Sequence, residues 1–231
     1  MASVPWFKER MLSDVPLESL AMLVLMRTAH YNMAHLKDEF VQNNTQAVMA
    51  NLAPTLRGMV PYAAQRLLDL LELCVKKIAV LNSRVVESMN GEREDSPDGL
   101  MAQLGVYRGC LNVLLEIVNN TLRASLLENP DLVYAILRKQ EVLSRAEEVQ
   151  GAAARVVGAD DEELEATRGL LANMGQVAGY FQAAVDRELH ALLESQRTTE
   201  QVMAVIRGHL QGPSVPRDLI LHHEVAELTF R

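Results

Sequence analysis

The chain has 231 residues and a formal net charge of −8; 49% of it is apolar but only 4% is aromatic. That length can bury a substantial core in one large domain or two small ones, and a composition led by Leu, Ala, Val and Met predicts helix packed on helix rather than sheet. The negative field, with no block of basic residues, would repel nucleic acid and anionic lipid.

Residues 1–13 read as a leader helix with Trp6, Phe7, Met11 and Leu12 on a small apolar face. Asp14 or Ser13 is placed as the cap of a first helix, with Pro16 in the first turn, where proline removes no hydrogen bond. From Leu17 to about Met33 this helix is apolar nearly all round, which predicts burial on more than one side. Its unbroken apolar run, Leu20 to Met26, is far shorter than the roughly 20 residues of a membrane span. A second helix fits His35 to Ala53, with Phe40, Val41, Ala47, Val48 and Leu52 on one face and Pro54 as the stop.

Pro61 starts a third helix that carries Leu67, Leu68, Leu71, Cys74, Val75, Ile78 and Leu81 at spacings of three and four. Asn90 to Gly99 reads as an acidic loop: Gly91, Pro97 and Gly99 break helices, and Glu92, Glu94, Asp95 and Asp98 keep the segment solvated. The fourth helix, about Leu100 to Leu127, places Leu104, Leu111, Leu115, Val118, Leu122 and Leu126 on one stripe and Arg108, Glu116 and Arg123 on another, and should pack antiparallel to the third.

Asn129 caps a fifth helix with Pro130 in its first turn. It runs to Val157 or breaks near Gln150-Gly151, and Gly158 ends it. Asp160-x-x-Glu163 forms a capping box for a sixth helix reaching about Glu194. Thr198 or Thr199 caps a seventh, closed by Gly212-Pro213; beyond Pro216, extended chain and a further helical turn both remain open. The predicted class is all-α: antiparallel helix pairs in an irregular armadillo- or HEAT-like α-solenoid segment of about seven helices, with a globular bundle as second choice.

The chain carries none of the common catalytic or metal-binding motifs, so no enzyme, metal or cofactor is expected. His30 and His35 share a helix face poorly. His222-His223-Glu224 reads as surface near a chain end, and His190 with Glu194 reads as an ordinary i,i+4 pair. The acids from Asp160 to Glu165 lack the glycine of a calcium loop and suit a helix N-terminus instead. Cys74 and Cys110 lie in apolar patterns, as buried free thiols do, and with no secretory segment this indicates a reducing compartment. The acceptor strings at Asn43 and Asn119 fall in predicted helices.

Polar residues inside strongly apolar helices are the remaining candidates: Arg27, Tyr31 and Asn32 in the first, Tyr62, Gln65 and Arg66 at the start of the third. They form either a hydrogen-bonded lock between stacked helices or a ridge that binds a protein partner, since Tyr and Arg dominate interface hot spots.

Two strings stand out, Pro61-Tyr62-Ala63-Ala64-Gln65-Arg66 and the helix start Glu128-Asn129-Pro130-Asp131-Leu132-Val133-Tyr134-Ala135. With Trp6, Glu9-Arg10, Asp14-Val15-Pro16-Leu17, Arg27-Thr28, Tyr31-Asn32-Met33 and Ala50-Asn51, in this order and spacing, they resemble the C-terminal part of the dymeclin family. The likeness is weakest between Asn90 and Leu100 and from Val149 to Leu189, and recovers at Glu200-Gln201-Val202 and Pro216-Arg217-Asp218. Dymeclin chains are much longer, so the resemblance implies a fragment, a short isoform or an incomplete gene model.

The resemblance further implies a cytosolic protein peripherally associated with the Golgi, a scaffold in Golgi organisation and vesicle trafficking that works through protein partners. Some members are thought to begin with a myristoylation signal; here Ala2, not glycine, follows Met1, so no intrinsic membrane anchor is expected. The alternative is a small-ligand or lipid-binding bundle with a cavity among its Met- and Leu-rich helices.

Overall fold

The computed structural model describes residues 14–90, 96–158, 161–212, 215, 216 and 219. Among them are eight α-helices and no strand, so the all-α class holds. Helix α1 (Leu17–Tyr31) starts after Pro16, whose carbonyl accepts from the Leu20 N–H at 3.0 Å. Asp14 lies upstream of the cap position, with φ 53°, and does not serve as the expected cap. The helix then widens into a π-turn, Asn32–Leu36, closed by the Lys37 N–H donating to the Asn32 carbonyl at 2.7 Å.

Asp38 caps α2 (Glu39–Leu52), accepting from the Val41 N–H at 2.9 Å. An acidic acceptor facing the first-turn N–H groups is a stronger start than His35 offers, which moves the helix start downstream. The buried face of α2 also differs from expectation: Phe40 is 77% and Val48 47% exposed, while Gln42, Thr45, Gln46 and Met49 are buried. Asn32 supplies the reason. Its Nδ2 donates to Gln42 Oε1 at 3.1 Å and to the Asp38 carbonyl at 2.8 Å, and its Oδ1 accepts from the Asp38 N–H at 3.1 Å. This buried knot fixes which side of α2 turns inward.

Helices α3 (Pro61–Met89) and α4 (Pro97–Ser125) have 29 residues each and are about 43 Å long. Both begin with proline, whose missing N–H costs nothing in the first turn. That is why Pro97, Asp98 and Gly99 form the first turn of α4 rather than loop; residues 91–95 lie outside the described ones. The predicted apolar stripe of α3 is buried from Leu67 to Leu81, as is that of α4 from Leu104 to Leu126. Arg108, expected on the polar stripe of α4, is only 6% exposed.

Helix α5 (Pro130–Arg138) ends at Lys139, well before Gln150-Gly151, and α6 (Gln140–Val157) follows. Lys139 leaves helical geometry at φ −119°, and its ammonium is held on α3 by Asp69 at 2.9 Å and by Glu72. Gly158 closes α6 with φ 67°, a conformation glycine adopts without strain. Helix α7 (Asp161–Glu188) stops short of Glu194, leaving His190 in a turn rather than in a helical pair. Thr198 and Gln201 cap α8 (Thr199–Gln211) reciprocally, at 3.3 and 2.9 Å. The leader 1–13, Asp160 of the expected capping box and residues 220–231 lie outside the described residues.

α1 packs on α3 and α2 on α4; α5 and α6 pack on α3 and α7 on α4; α8 joins through α5 and α7. One large core cluster runs through these layers, from Met22 in α1 to Leu210 in α8, and a small second one, Ala184, Val185 and Val205, joins α7 to α8. The pairs are irregular because α5 interrupts the alternation.

Candidate functional site

A groove opens between α1 and α3. Each wall presents one helix face at spacings of three and four: Leu23, Met26, Arg27 and His30 from α1; Arg66, Asp69, Leu70 and Leu73 from α3. The volume is about 230 Å³. Leu23, Met26 and Leu70 form a floor only 3%, 4% and 6% exposed, while the ionisable groups ring the mouth. Asp69 is engaged by Lys139 at 2.9 Å. The Arg66 guanidinium lies 5.7 Å from the centre of the Tyr62 ring, within cation–π range.

The six polar candidates thus divide. Arg27 and Arg66 meet at the groove, with Tyr62 beside Arg66. Tyr31 is 57% exposed, its ring centre 4.7 Å from that of His35. Asn32 is buried, but its bonds go to Asp38 and Gln42 at the α1–α2 corner, and Gln65 on α3 is exposed. Asn32 and Gln65 therefore do not bond to each other.

The helix-start motif has a different use from the expected one. Asn129 holds the cap position by its backbone, its carbonyl accepting from the Val133 N–H at 3.2 Å, but its side chain makes no cap bond to α5. It reaches the connector between α2 and α3: Nδ2 donates to the Leu56 carbonyl at 2.8 Å, and Oδ1 accepts from the Met59 N–H at 2.8 Å. Nδ2 also donates to the Ser125 carbonyl at 2.9 Å. One turn earlier, Ser125 Oγ donates to the Leu56 carbonyl at 2.6 Å, and one turn before that Thr121 Oγ1 donates to the Ala53 carbonyl at 3.1 Å. Thr121, Ser125 and Asn129 form a buried ladder. Pro130 starts α5, and the Tyr134 hydroxyl meets Thr199 Oγ1 at 3.0 Å, tying α5 to α8.

A second polar network, which the sequence reading did not single out, joins α4, α6 and α7. Buried Arg108 donates to Gln150 Oε1 and to Glu163 Oε1, each at 3.2 Å. Asn112 donates to Glu163 at 3.0 Å and accepts from Gln150 at 2.9 Å and Thr167 at 3.1 Å. The signal in the sequence is the pairing of Arg108 with Asn112 and of Glu163 with Thr167, each four apart on one helix face.

Burial raises the Glu116 carboxyl from 4.5 to about 7. Cys74 and Cys110 are buried free thiols in contact, and that contact, followed by burial, holds Cys74 well above the ordinary thiol value. Among the described residues no group of three His, Cys, Asp or Glu could hold a metal ion, and no helix is long and apolar enough to cross a membrane.

Layered helices, internal polar networks and a small groove between α1 and α3 define an all-α helical protein. The family profile described as Dymeclin: Dyggve-Melchior-Clausen syndrome protein matches residues 1–231, and the chain belongs to that family. It is 36% identical over 148 residues to Dymeclin of Gallus gallus, covering 63% of this chain and 22% of that protein. Dymeclin of Drosophila melanogaster is 31% identical over 146 residues, 62% of this chain and 21% of that protein. Dymeclin of Dictyostelium discoideum is 23% identical over 279 aligned positions, 91% of this chain and 28% of that protein. The chain thus spans about a fifth of the length of the vertebrate and fly relatives it matches. No solved structure matches it.

Proposed function

We propose that the chain is part of a non-enzymatic helical scaffold that serves Golgi organisation and intracellular vesicle trafficking by holding protein partners, in the cytoplasm and peripherally on the Golgi. Membership of the Dymeclin family supports the setting. The observation that carries the binding role is the α1–α3 groove, where Arg27 and Arg66 rim an apolar floor and Tyr62 stacks beside Arg66; these residue types dominate interface hot spots. At about 230 Å³ the groove is smaller than the roughly 300–1,000 Å³ of sites for small ligands, which disfavours the ligand- or lipid-binding alternative. Golgi morphology and cargo export are to be followed in cells lacking the full-length protein and re-supplied with wild type or with the Arg27→Glu, Arg66→Glu double variant. Wild type should restore both and the double variant should not, at equal abundance. An unaltered Golgi and unaltered export in the depleted cells would overturn the proposal.

A further inference from the structure

We infer that Cys74 and Cys110 form a dithiol site that a small peroxide oxidises reversibly to a disulfide, with Cys110 as the attacking thiol and Cys74 as the resolving one; this stands apart from the scaffold reading. The two side chains meet across the α3–α4 interface, close enough to share a hydrogen bond, and are 0% and 1% exposed. Two thiols in contact are chemically equivalent unless a third group tells them apart. Gln46 does so from α2. It is 7% exposed, and its Nε2 has no oxygen or nitrogen partner among the described residues. The Cys74 contact first, and the Gln46 amide as well, hold the Cys110 thiol below its ordinary value against the opposing effect of burial. Cys74 is held well above its own by the same contact and then by burial.

The thiolate is the attacking species, which makes Cys110 the first to react. With hydrogen peroxide, an S–O bond forms at Cys110 and the O–O bond breaks. The leaving hydroxide takes up a proton as water, and the sulfur has been oxidised by two electrons to a sulfenic acid. The Cys74 sulfur then attacks that of Cys110: the S–S bond forms, the S–O bond breaks, and a second water carries away the oxygen and the Cys74 proton. Two thiols and one peroxide thus give one disulfide and two waters. The disulfide is uncharged, as suits the apolar core in which both residues lie. Holding a metal ion instead would need both thiols ionised in that core, which burial opposes. Tyr107 is half-buried one turn before Cys110. Burial first, and the charge of the nearby Cys74 and Cys110 second, raises its phenol above the ordinary value. The pair therefore lies beneath a side chain that reaches the surface, and a molecule of peroxide size needs only a small displacement of that ring. Once formed, the bridge fastens the two 29-residue helices to each other.

In the test, the whole chain is reduced, treated with hydrogen peroxide at neutral pH, unfolded in iodoacetamide and mapped by mass spectrometry. A Cys74–Cys110 cross-link should form within the single chain, and dithiothreitol should return both thiols. In Cys74→Ser, dimedone should label Cys110 at least about fivefold more than it labels Cys74 in Cys110→Ser. Gln46→Leu should slow bridging by about threefold or more and move its rate profile to higher pH, which a mere loss of packing would not do. Tyr107→Ala should speed it. Thiols that stay free in the folded chain, bridges formed only between chains, or bridging only after unfolding in urea would each overturn the inference. Equal dimedone labelling of the two cysteines, or an unmoved profile in Gln46→Leu, would overturn the assigned order of attack. Bridging itself is read in the wild type, so it stays decisive even where a serine variant unfolds.

Discussion

Replacing Asn129 separates a helix cap from an interhelical brace. In Asn129→Ala the Met59 N–H, on a residue 1% exposed, loses the Oδ1 acceptor at 2.8 Å; orphaning such a buried donor costs about 1–3 kcal/mol. The Leu56 carbonyl keeps Ser125 Oγ at 2.6 Å, so the two weakened acceptors, Leu56 and Ser125, each add about 0.5–1 kcal/mol. The total is about 2–5 kcal/mol, against about 1 kcal/mol for a cap alone. Asn129→Asp sharpens the contrast. Aspartate is as good a cap as asparagine, yet here it would set a carboxylate oxygen against the Leu56 and Ser125 carbonyls that now accept from Nδ2. It should therefore be at least as damaging as alanine. Urea unfolding followed by helical circular dichroism should show both midpoints lowered by about 1 M or more with unchanged slope. An aspartate variant that unfolds with the wild type, beside an alanine variant down by only about 1 kcal/mol, would refute the brace.

Asn32→Ala should cost about 1–3 kcal/mol, because it strands Gln42 and the Asp38 backbone, while exposed Gln65 to Ala should stay within about 0.5 kcal/mol. In double-mutant cycles Asn32 should couple to Gln42 and be additive with Gln65; coupling to Gln65 instead would contradict the geometry. Glu116 should give the stability a pH slope. Its carboxyl is raised from 4.5 to about 7 in the folded chain, so its contribution is fully present below the unfolded value and is lost as pH rises through the folded one. Glu116→Gln should shrink the fall in thermal midpoint between pH 5 and 8, and an equal fall in both proteins would refute the assignment.

Helix starts marked by a rigid or acceptor residue were legible: Pro61 and Pro130 start helices and Thr198 caps α8, while Gly158 ends α6. So were the stripes of α3 and α4, where the inward residues are aliphatic and the period is plain. The sequence misled where polar groups replaced apolar ones in the interior. On α2, apolar Phe40 and Val48 pointed to one face, yet Asn32 fixes Gln42 inward. The break at Lys139 depends on Asp69 and Glu72 of another helix, and no local breaker announces it. Arg27 and Arg66 of the groove were singled out in advance, whereas Leu70 and Leu73 lay outside the predicted stripe of α3; two helix faces make a pocket only after they are docked.

The ladder on α4 has a bearing on length rather than on energy. Helix connectors ordinarily accept added residues. Here Thr121 and Ser125 stand four residues apart on an α-helix, a rise of about 6 Å, and they address Ala53 and Leu56, three residues apart along the 3₁₀ turn Ala53–Thr55, also about 6 Å. The two repeats are commensurate, like teeth of equal pitch. One residue inserted into the turn would throw the following contacts at Leu56 and Met59 out of step with Ser125 and Asn129, so the number of residues in this connector is specified as tightly as the shape of a core side chain.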